Sequence, residues 1–464
     1  MRFTEKYSRF FNYFLPTPFT IAILLFVITY GIALIYTTPT DTTSLDYSLQ
    51  LLQFFETGFW NNGLLVFAIQ MMLILVLGHT LALSKPFDRL IHFFVKYCDT
   101  TAKAAFIVTF FTIIMAYFNW GFALIFGAIF ARKVGEYATK NNIPINYPLI
   151  GAAGYVGLMV WHGGFSGSSL TKVAETGHLK ELMQNILTPE QLINLPEQID
   201  FSQTVFSSMN LYASIGVLLI VPIGLFWIGK KSKNKKVPQL IISKDKEMVN
   251  EKSEGAERFD NSRLFATIIG GVFILYSFYS AISSFDETGW GFLNLNYINF
   301  LLFGLCILFH QRIKTFLSAI DEAIGGAAGI LIQFPIYFGI MGIMNSSGLI
   351  DQFSNFFISI STSTTFPIFT FISAGIVNVF VPSGGGQWAV QGPIIVQAAL
   401  SLGVDLPKSI LALAYGDQIT NMLQPFWAIP LLGITGLKAK EILPYTLLMM
   451  GLGLIVYISA LLLF

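Results

Sequence analysis

Charged side chains are scarce in this chain. Asp, Glu, Lys and Arg make up 11% of its 464 residues, against roughly 25% in a soluble domain, so water is not its main solvent. Net charge is nearly absent as well: 27 basic and 26 acidic residues leave a formal +1. No global field draws the chain to nucleic acid or to an acidic partner. Cysteine is limited to Cys98 and Cys306, one in a basic segment and one in an apolar run, without CxxC spacing. Both read as free thiols. Compact enzyme signatures are missing too: no HExxH, no GxSxG with a His partner, no Walker A loop and no Cys/His cluster. These absences argue against an intramembrane hydrolase and an ATP-driven pump, and no cofactor is expected.

What is present is apolar length. Runs near 20 residues extend over Pro18 to Tyr36, Gly63 to Leu83, Leu211 to Gly229, Leu264 to Ser284 and Leu443 to Phe464, the length a helix needs to cross about 30 Å of hydrocarbon. The expected class is an all-α polytopic protein of the inner membrane, with the lipid bilayer as its solvent. Arg2, Lys6 and Arg9 ahead of the first run imitate a signal peptide. The run is long and no small-residue cleavage pattern follows, so it reads as a retained span.

Lys and Arg mark cytoplasmic loops. Arg2, Lys6 and Arg9 place the N-terminus inside; Thr37 to Asn62, with Asp41, Asp46 and Glu56 and no basic residue, reads as an outer segment. Lys85, Arg89, Lys96 and Lys103 are inside again and include an amphipathic surface helix, Pro86 to Tyr97. From Lys103 to Arg132 the intervening residues carry no charge, yet both flanks are basic. One crossing cannot join two cytoplasmic flanks. Residues 104–131 therefore read as a re-entrant hairpin turning at Asn119-Trp120-Gly121, with arms shorter than the about 20 residues of a full span. Such backbone survives at depth only where protein or a water-filled cavity covers it.

Residues 147–169 read as a broken span, running outward from Tyr147 to Trp161 and dissolving into His162-Gly163-Gly164-Phe165-Ser166-Gly167-Ser168-Ser169. Leu211 to Gly229 returns to Lys230, Lys231, Lys233, Lys235 and Lys236, and the charged stretch 230–263 is a cytoplasmic linker. Residues 264–296 supply a connecting span and an outer loop. The remainder, 297–464, repeats 1–229 upside down. Tyr297 to His310 comes in, Ala323 to Asn345 goes out, and the uncharged stretch Gln352 to Val404 is interrupted at Pro382-Ser383-Gly384-Gly385-Gly386. This gives a second hairpin over 366–404 and a second broken span over 408–437, about nine spans and two hairpins in all, with the C-terminus outside. Spacing supports the repeat: Asn119 precedes Tyr155 by 36 residues and Asn378 precedes Tyr415 by 37. Phe93-Phe94 pairs with Phe356-Phe357 at an offset of 263, against 259 for the two Asn. Inverted repeats with broken helices point to a secondary carrier with its site near the midplane.

The hairpins carry the chemistry. The second arm of each starts at its tip, so helix N-termini near Gly121 and Gln387 aim amide donors and a partial positive charge at the centre, where a carboxylate could sit. Gly384, Gly385 and Gly386 allow close backbone approach, and Ser383 and Gln387 add donors. In a soluble protein this Pro-Ser-Gly-Gly-Gly would read as a surface turn; its apolar flanks reverse that. The candidate substrate-binding residues are Asn119, Trp120, Gly121, Ser166, Ser168, Ser383, Gly384, Gly385, Gly386, Gln387, Gln391 and Asn421. Ser166, Ser168 and Ser169 line the site or merely satisfy unwound backbone. Asp417 is the only charged side chain between Lys408 and Lys438; an intramembrane carboxylate costs at least about 2.5 kcal/mol and is functional by default. It is the candidate for binding a cation or carrying a proton, with Gln418 and Asn378 beside it, and its bland reading is a structural carboxylate held by backbone amides. His162 is more often a hydrogen-bonded structural group than a proton relay, and His79 and His310 are weaker candidates still. Trp120, Trp161, Trp388 and Trp427 sit beside the breaks and could wall an apolar pocket.

The run Val381-Pro382-Ser383-Gly384-Gly385-Gly386-Gln387-Trp388-Ala389-Val390-Gln391-Gly392-Pro393 resembles the bacterial short-chain fatty acid transporter family, the AtoE type associated with uptake of acetoacetate and butyrate. The likeness extends to Asn119-Trp120-Gly121-Phe122, Gly163-Gly164-Phe165-Ser166-Gly167-Ser168, Gln333-Phe334-Pro335, Ala414-Tyr415-Gly416-Asp417-Gln418, Asn421-Met422 and Gln424-Pro425-Phe426-Trp427, and covers almost the whole chain. It implies a short-chain carboxylate as substrate and the wider ion-transporter architecture of paired hairpins, a moving transport domain and a scaffold. It also implies coupling to Na⁺ or H⁺ and a homodimer. His162 stands where the family has Gly, and Asp417 where Glu also occurs, so any role of His162 is specific to this chain. Two other readings remain. One is a dicarboxylate, amino-acid or other small organic anion carrier, which a second cationic group would favour, but no Arg or Lys lies at depth. The other is an intramembrane enzyme using His162 and Asp417 as an acid–base pair, which needs them within about 3 Å, directly or through one water.

Overall fold

The computed structural model describes residues 17–184, 187–232, 236–240, 255–288, 292, 295–382, 384–424 and 427–464. Among these the chain is helical, and its one β-type feature is an isolated antiparallel bridge between Ile145 and Lys236. Ser383, Pro425 and Phe426 lie outside the described residues, as do Arg2, Lys6, Arg9, Lys233 and Lys235.

The chain begins with α1 (Pro18–Tyr36), α2 (Ser44–Phe59), α3 (Asn62–Ala82) and α4 (Lys85–Val95). Thr17 caps α1, and Pro18 takes a first-turn place where its missing N–H costs nothing. Asn61 Oδ1 caps α3. Residues 37–62, read from their charges as an outer segment, contain helix α2. Thr43 caps it, and Tyr47, Leu51 and Gly58 are buried along its inner face.

Helices α5 (Thr101–Phe118) and α6 (Trp120–Lys140) join at Asn119 and pack against each other. Asn119 has extended backbone, and its side chain accepts the N–H of Phe122, so one residue ends α5 and caps α6. The second arm is longer than expected. Its 21 residues continue past Ala131 through Arg132, Glu136 and Lys140, where an Arg132–Glu136 pair at 2.8 Å supports the added turns.

Helix α7 (Tyr147–Tyr155) gives way to 3₁₀ turns at Val156–Met159 and Trp161–Gly163, earlier than the expected run to Trp161. Short helices α8 (Ser168–Ala174), α9 (His178–Met183) and α10 (Pro189–Ile193) lead to α11 (Ser208–Lys231). The remaining chain forms α12 (Glu257–Asn261), α13 (Arg263–Thr288), α14 (Leu295–His310), α15 (Ile313–Ala323), α16 (Ala328–Ser346), α17 (Leu349–Ser359), α18 (Phe366–Phe380), α19 (Gly384–Leu402), α20 (Leu406–Thr420), α21 (Ile429–Thr435) and α22 (Ala439–Leu463). The span expected from Ala323 starts at Ala328 instead, because a 3₁₀ turn over Ile324–Ala327 separates it from amphipathic α15.

Six helices among the described residues are long and apolar enough to cross a membrane: α3, α5, α11, α13, α16 and α22. Shorter apolar helices lie in α1, α14, α18 and α19. Two packing relations position the centre. Helix α20 lies against both α18 and α19, and α7 lies against both α5 and α6. The 3₁₀ turns that follow α7 and α20, Val156–Met159 and Asn421–Leu423, pack on each other.

Candidate functional site

Where α7 and α20 stop, backbone groups lose their helical partners, and an unmet buried group costs about 1–3 kcal/mol. Side chains from other elements replace them. Asn421 donates to Leu158 O (3.0 Å), Tyr457 to Met159 O (2.8 Å) and Asn210 to Gly163 O (2.8 Å). In the other direction Tyr155 donates to Asn421 O (2.9 Å), Thr446 to Met422 O (2.7 Å) and Asn378 to Asp417 O (2.7 Å). Pro382 has no N–H to offer Asn378 O four residues back, and Gln424 donates there instead. The N–H groups of His162 and Gly163 both reach Gln418 Oε1, at 2.9 and 3.1 Å. A methyl group on Gly164 would lie 2.5 Å from Tyr117 O, so only glycine lets this segment pass the end of α5.

At the centre His162 Nδ1 bonds Asp417 Oδ2, with His162 fully buried and Asp417 1% exposed. The tautomer follows from the far side of the ring. The backbone N–H of Ser169 donates to His162 Nε2 at 3.0 Å, so Nε2 carries a lone pair and the ring proton is on Nδ1. The Nδ1 N–H thus donates to the Asp417 carboxyl group. Trp161 stacks on the imidazole at 4.5 Å between ring centroids.

Gly384, the first residue of α19, closes over this pair. A methyl group there would lie 2.6 Å from the Trp161 ring, 3.0 Å from Asp417 Oδ2 and 3.1 Å from His162 Cε1. The carboxylate therefore rests against a helix N-terminus, whose partial positive charge favours an anion. A second carboxylate brought to the same turn would meet the first; unit charges 4 Å apart repel by about 4 kcal/mol at an effective dielectric of 20.

Near Asn119, Trp120 donates its backbone N–H to Ser166 Oγ at 3.1 Å. Its indole lies 5.9 Å from Trp161 and 5.0 Å from Trp427 between centroids, and Phe67 of α3 joins both Trp120 (6.3 Å) and Trp427 (6.1 Å). Trp161 thus touches both chain turns, with Trp120 on one side and Gly384 on the other.

Asp417, Gln418, Asn378, Asn421 and Gly384 come together around this centre, with Trp120 and Ser166 adjoining through Trp161. A methyl group on Gly385 would lie 3.9 Å from Ser168 Oγ, so that pair sits together at the entrance to α19. Gly121 is buried in the first turn of α6. Gln387 and Gln391 turn toward α18, where Gln387 donates to Ala374 O (2.9 Å) and to Gln391 Oε1 (2.8 Å), and Gln391 donates to Ser373 Oγ (2.9 Å). Gln391 also lines a small cavity of about 10 Å³ with Thr370 and Ile395, away from Gly384. The buried amide oxygens of Asn378, Gln387 and Gln424 have no hydrogen-bond donor among the described residues. Sequence reasoning gave Gln424 no role of its own; its bond to Asn378 O forms only where the ends of α18 and α20 meet.

The His162–Asp417 contact meets the geometric condition set for an acid–base enzyme, so local geometry alone does not separate an enzyme from a carrier. Comparison with known proteins does. The sequence model described as short chain fatty acid transporter matches residues 1–464. An Escherichia coli (strain K12) protein provisionally named a short-chain fatty acid transporter is 34% identical over 473 residues, spanning 100% of this chain and 99% of its own length. A Haemophilus influenzae protein with the same provisional name is 34% identical over 453 residues, spanning 96% and 95%. Among solved structures, the Alcanivorax borkumensis YdaH transporter aligns over 96% of this chain and 98% of its own at 14% identity, with a TM-score of 0.43, too loose a likeness to carry an inference.

Proposed function

Since this chain belongs to the short-chain fatty acid transporter family, a family of transporters and not of enzymes, we propose that it is a cation-coupled symporter of small monocarboxylates such as butyrate or acetoacetate. The substrate carboxylate binds between the turn at Asn119 and the turn before Gly384, its alkyl chain lies against Trp120, Trp161 and Trp427, and Asp417 couples its movement to H⁺ or Na⁺. The observation that carries this reading is the buried carboxylate of Asp417 against the first turn of α19. A fixed anion at the place best suited to a bound anion makes substrate binding depend on a compensating cation. Ser166, Ser168, Gly385, Gly386 and Asn421 complete the proposed lining, and Gln418 and Asn378 hold the coupling centre.

Alternating access is proposed to arise from two inverted repeats, 1–229 and 297–464, each with a re-entrant hairpin and a broken span. Reciprocal packing supports this. Helix α2 lies on α16 and α14 on α3; likewise α21 lies on α6 and α8 on α19. One repeat's hairpin unit moves against the scaffold, in a multi-pass inner-membrane protein with its N-terminus cytoplasmic and its C-terminus outside. The working assembly is a homodimer.

The test is reconstitution of the purified chain into proteoliposomes with radiolabelled butyrate. An imposed inward gradient of H⁺ or Na⁺ is expected to drive saturable accumulation. Uptake of butyrate and acetoacetate that follows no ion gradient contradicts the proposal.

A further inference from the structure

Nε2 of His162 is the ring atom open to a proton, and Ser169 covers it, with the backbone N–H at 3.0 Å and the hydroxyl at 2.9 Å. We infer that the coupling cation is a proton, that His162 takes it up beside Asp417, and that the start of α8 responds to its arrival. This rests on the carrier reading above and names the ion that it leaves open.

Protonation at Nε2 turns that atom from an acceptor into a donor. The Ser169 hydroxyl can rotate to accept the new bond. The Ser169 backbone N–H cannot; two N–H groups now face each other, and Ser169 has to withdraw from the ring. Ser169 belongs to α8, which packs on α19 and on α20. Proton binding is thereby delivered as a displacement to the helix whose first turn faces Asp417.

The same step changes the charge. Imidazolium beside carboxylate is neutral overall, so a substrate carboxylate at Gly384 no longer meets an uncompensated anion. Each ligand then favours the other by linkage, and the stoichiometry is one proton per carboxylate, with no net charge moved. The elements packed around His162 carry Asp417 and Tyr415 on α20, Tyr117 on α5, Tyr155 on α7, Tyr457 on α22 and, on and just past α8, the exposed Lys172–Glu175 pair. Of these, Asp417 is the group bonded to the ring.

The carbonyl oxygens of Leu158, Met159, Gly163, Asp417, Asn421 and Met422 each accept a side-chain donor, and a proton at Nε2 displaces none of them; it needs only the lone pair that Ser169 now occupies.

The test pairs a variant with a measurement on the unaltered protein. His162→Gln offers an amide donor and an acceptor but cannot be protonated. In proteoliposomes the ratio of pH-gradient-driven butyrate uptake to butyrate exchange at equal pH is expected to fall by about tenfold or more, while a membrane potential set by a K⁺ gradient and valinomycin drives no accumulation in the unaltered carrier. In detergent and weak buffer, the unaltered carrier is expected to take up about one proton for each butyrate bound. The inference is overturned if His162→Gln keeps the ratio, if butyrate binds without proton uptake, or if a Na⁺ gradient replaces the pH gradient without loss. Butyrate exchange with no proton uptake removes this inference alone; the absence of any exchange removes the carrier reading and this with it.

Discussion

Gly384 and Asp417 face each other so closely that a methyl group on the glycine would stand 3.0 Å from Asp417 Oδ2, and 2.6 Å from the ring of Trp161 behind it. Helix α19 therefore starts with its backbone directly against the coupling carboxylate, and substrate has to enter that contact. Gly384→Ala is expected to lower butyrate uptake by about tenfold or more while costing about 1–3 kcal/mol of stability through overpacking. Uptake and thermal unfolding of the purified variant check both. Wild-type uptake in Gly384→Ala would show that the first turn of α19 does not approach the substrate.

The aromatic rings set the proposed length limit. Trp120 packs on Trp427 at 5.0 Å and on Trp161 at 5.9 Å, and it is the better target because Trp161 also stacks on His162. Trp120→Leu is expected to open the wall and shift competition for butyrate uptake toward longer acids, with hexanoate gaining about tenfold relative to butyrate. Inhibition by a series of straight-chain acids reads this ratio. An unchanged order of inhibition would place the alkyl chain elsewhere.

Trp388 of α19 donates its indole N–H to His178 Nε2 at 3.0 Å, tying α9 to α19. The bond needs neutral imidazole. Burial holds the His178 pKa below its ordinary 6.5, with Lys172 adding to the shift and Glu175 and Glu181 opposing it. Because the docked state binds fewer protons, its stabilisation is fully present above 6.5 and is lost as pH falls through the lowered value. Trp388 emission is expected to step on acidification with a midpoint below 6.5, and His178→Gln is expected to remove the step. An identical pH response in the variant would contradict the assignment.

Much of this architecture was legible because apolar length and basic flanks leave a mark on the sequence. The bounds of α1, α3, α11, α13 and α14 fall within a few residues of the runs that announced them. The misses have physical causes. Helix α6 outran its apolar stretch because Arg132 and Glu136 pair on its surface. At the centre, Asp417 stood out as a lone charge in an apolar run, and composition alone marked it. His162 was paired with Asp417 only in the enzyme reading; the bond joins residues 255 positions apart, and the tautomer is fixed by Ser169. Likewise Gln424 reads as a polar residue beside a proline, and its task of serving the carbonyl that Pro382 orphans exists only once the two breaks meet.

The most direct test of the account is transport by Asp417→Asn in proteoliposomes, with butyrate exchange and gradient-driven accumulation followed across pH 5 to 8, a range of about three units centred on the usual imidazole pKa. The account predicts that accumulation is lost and that whatever exchange remains no longer varies with pH. Full coupled accumulation by Asp417→Asn, with the pH dependence of the unaltered carrier, would contradict it.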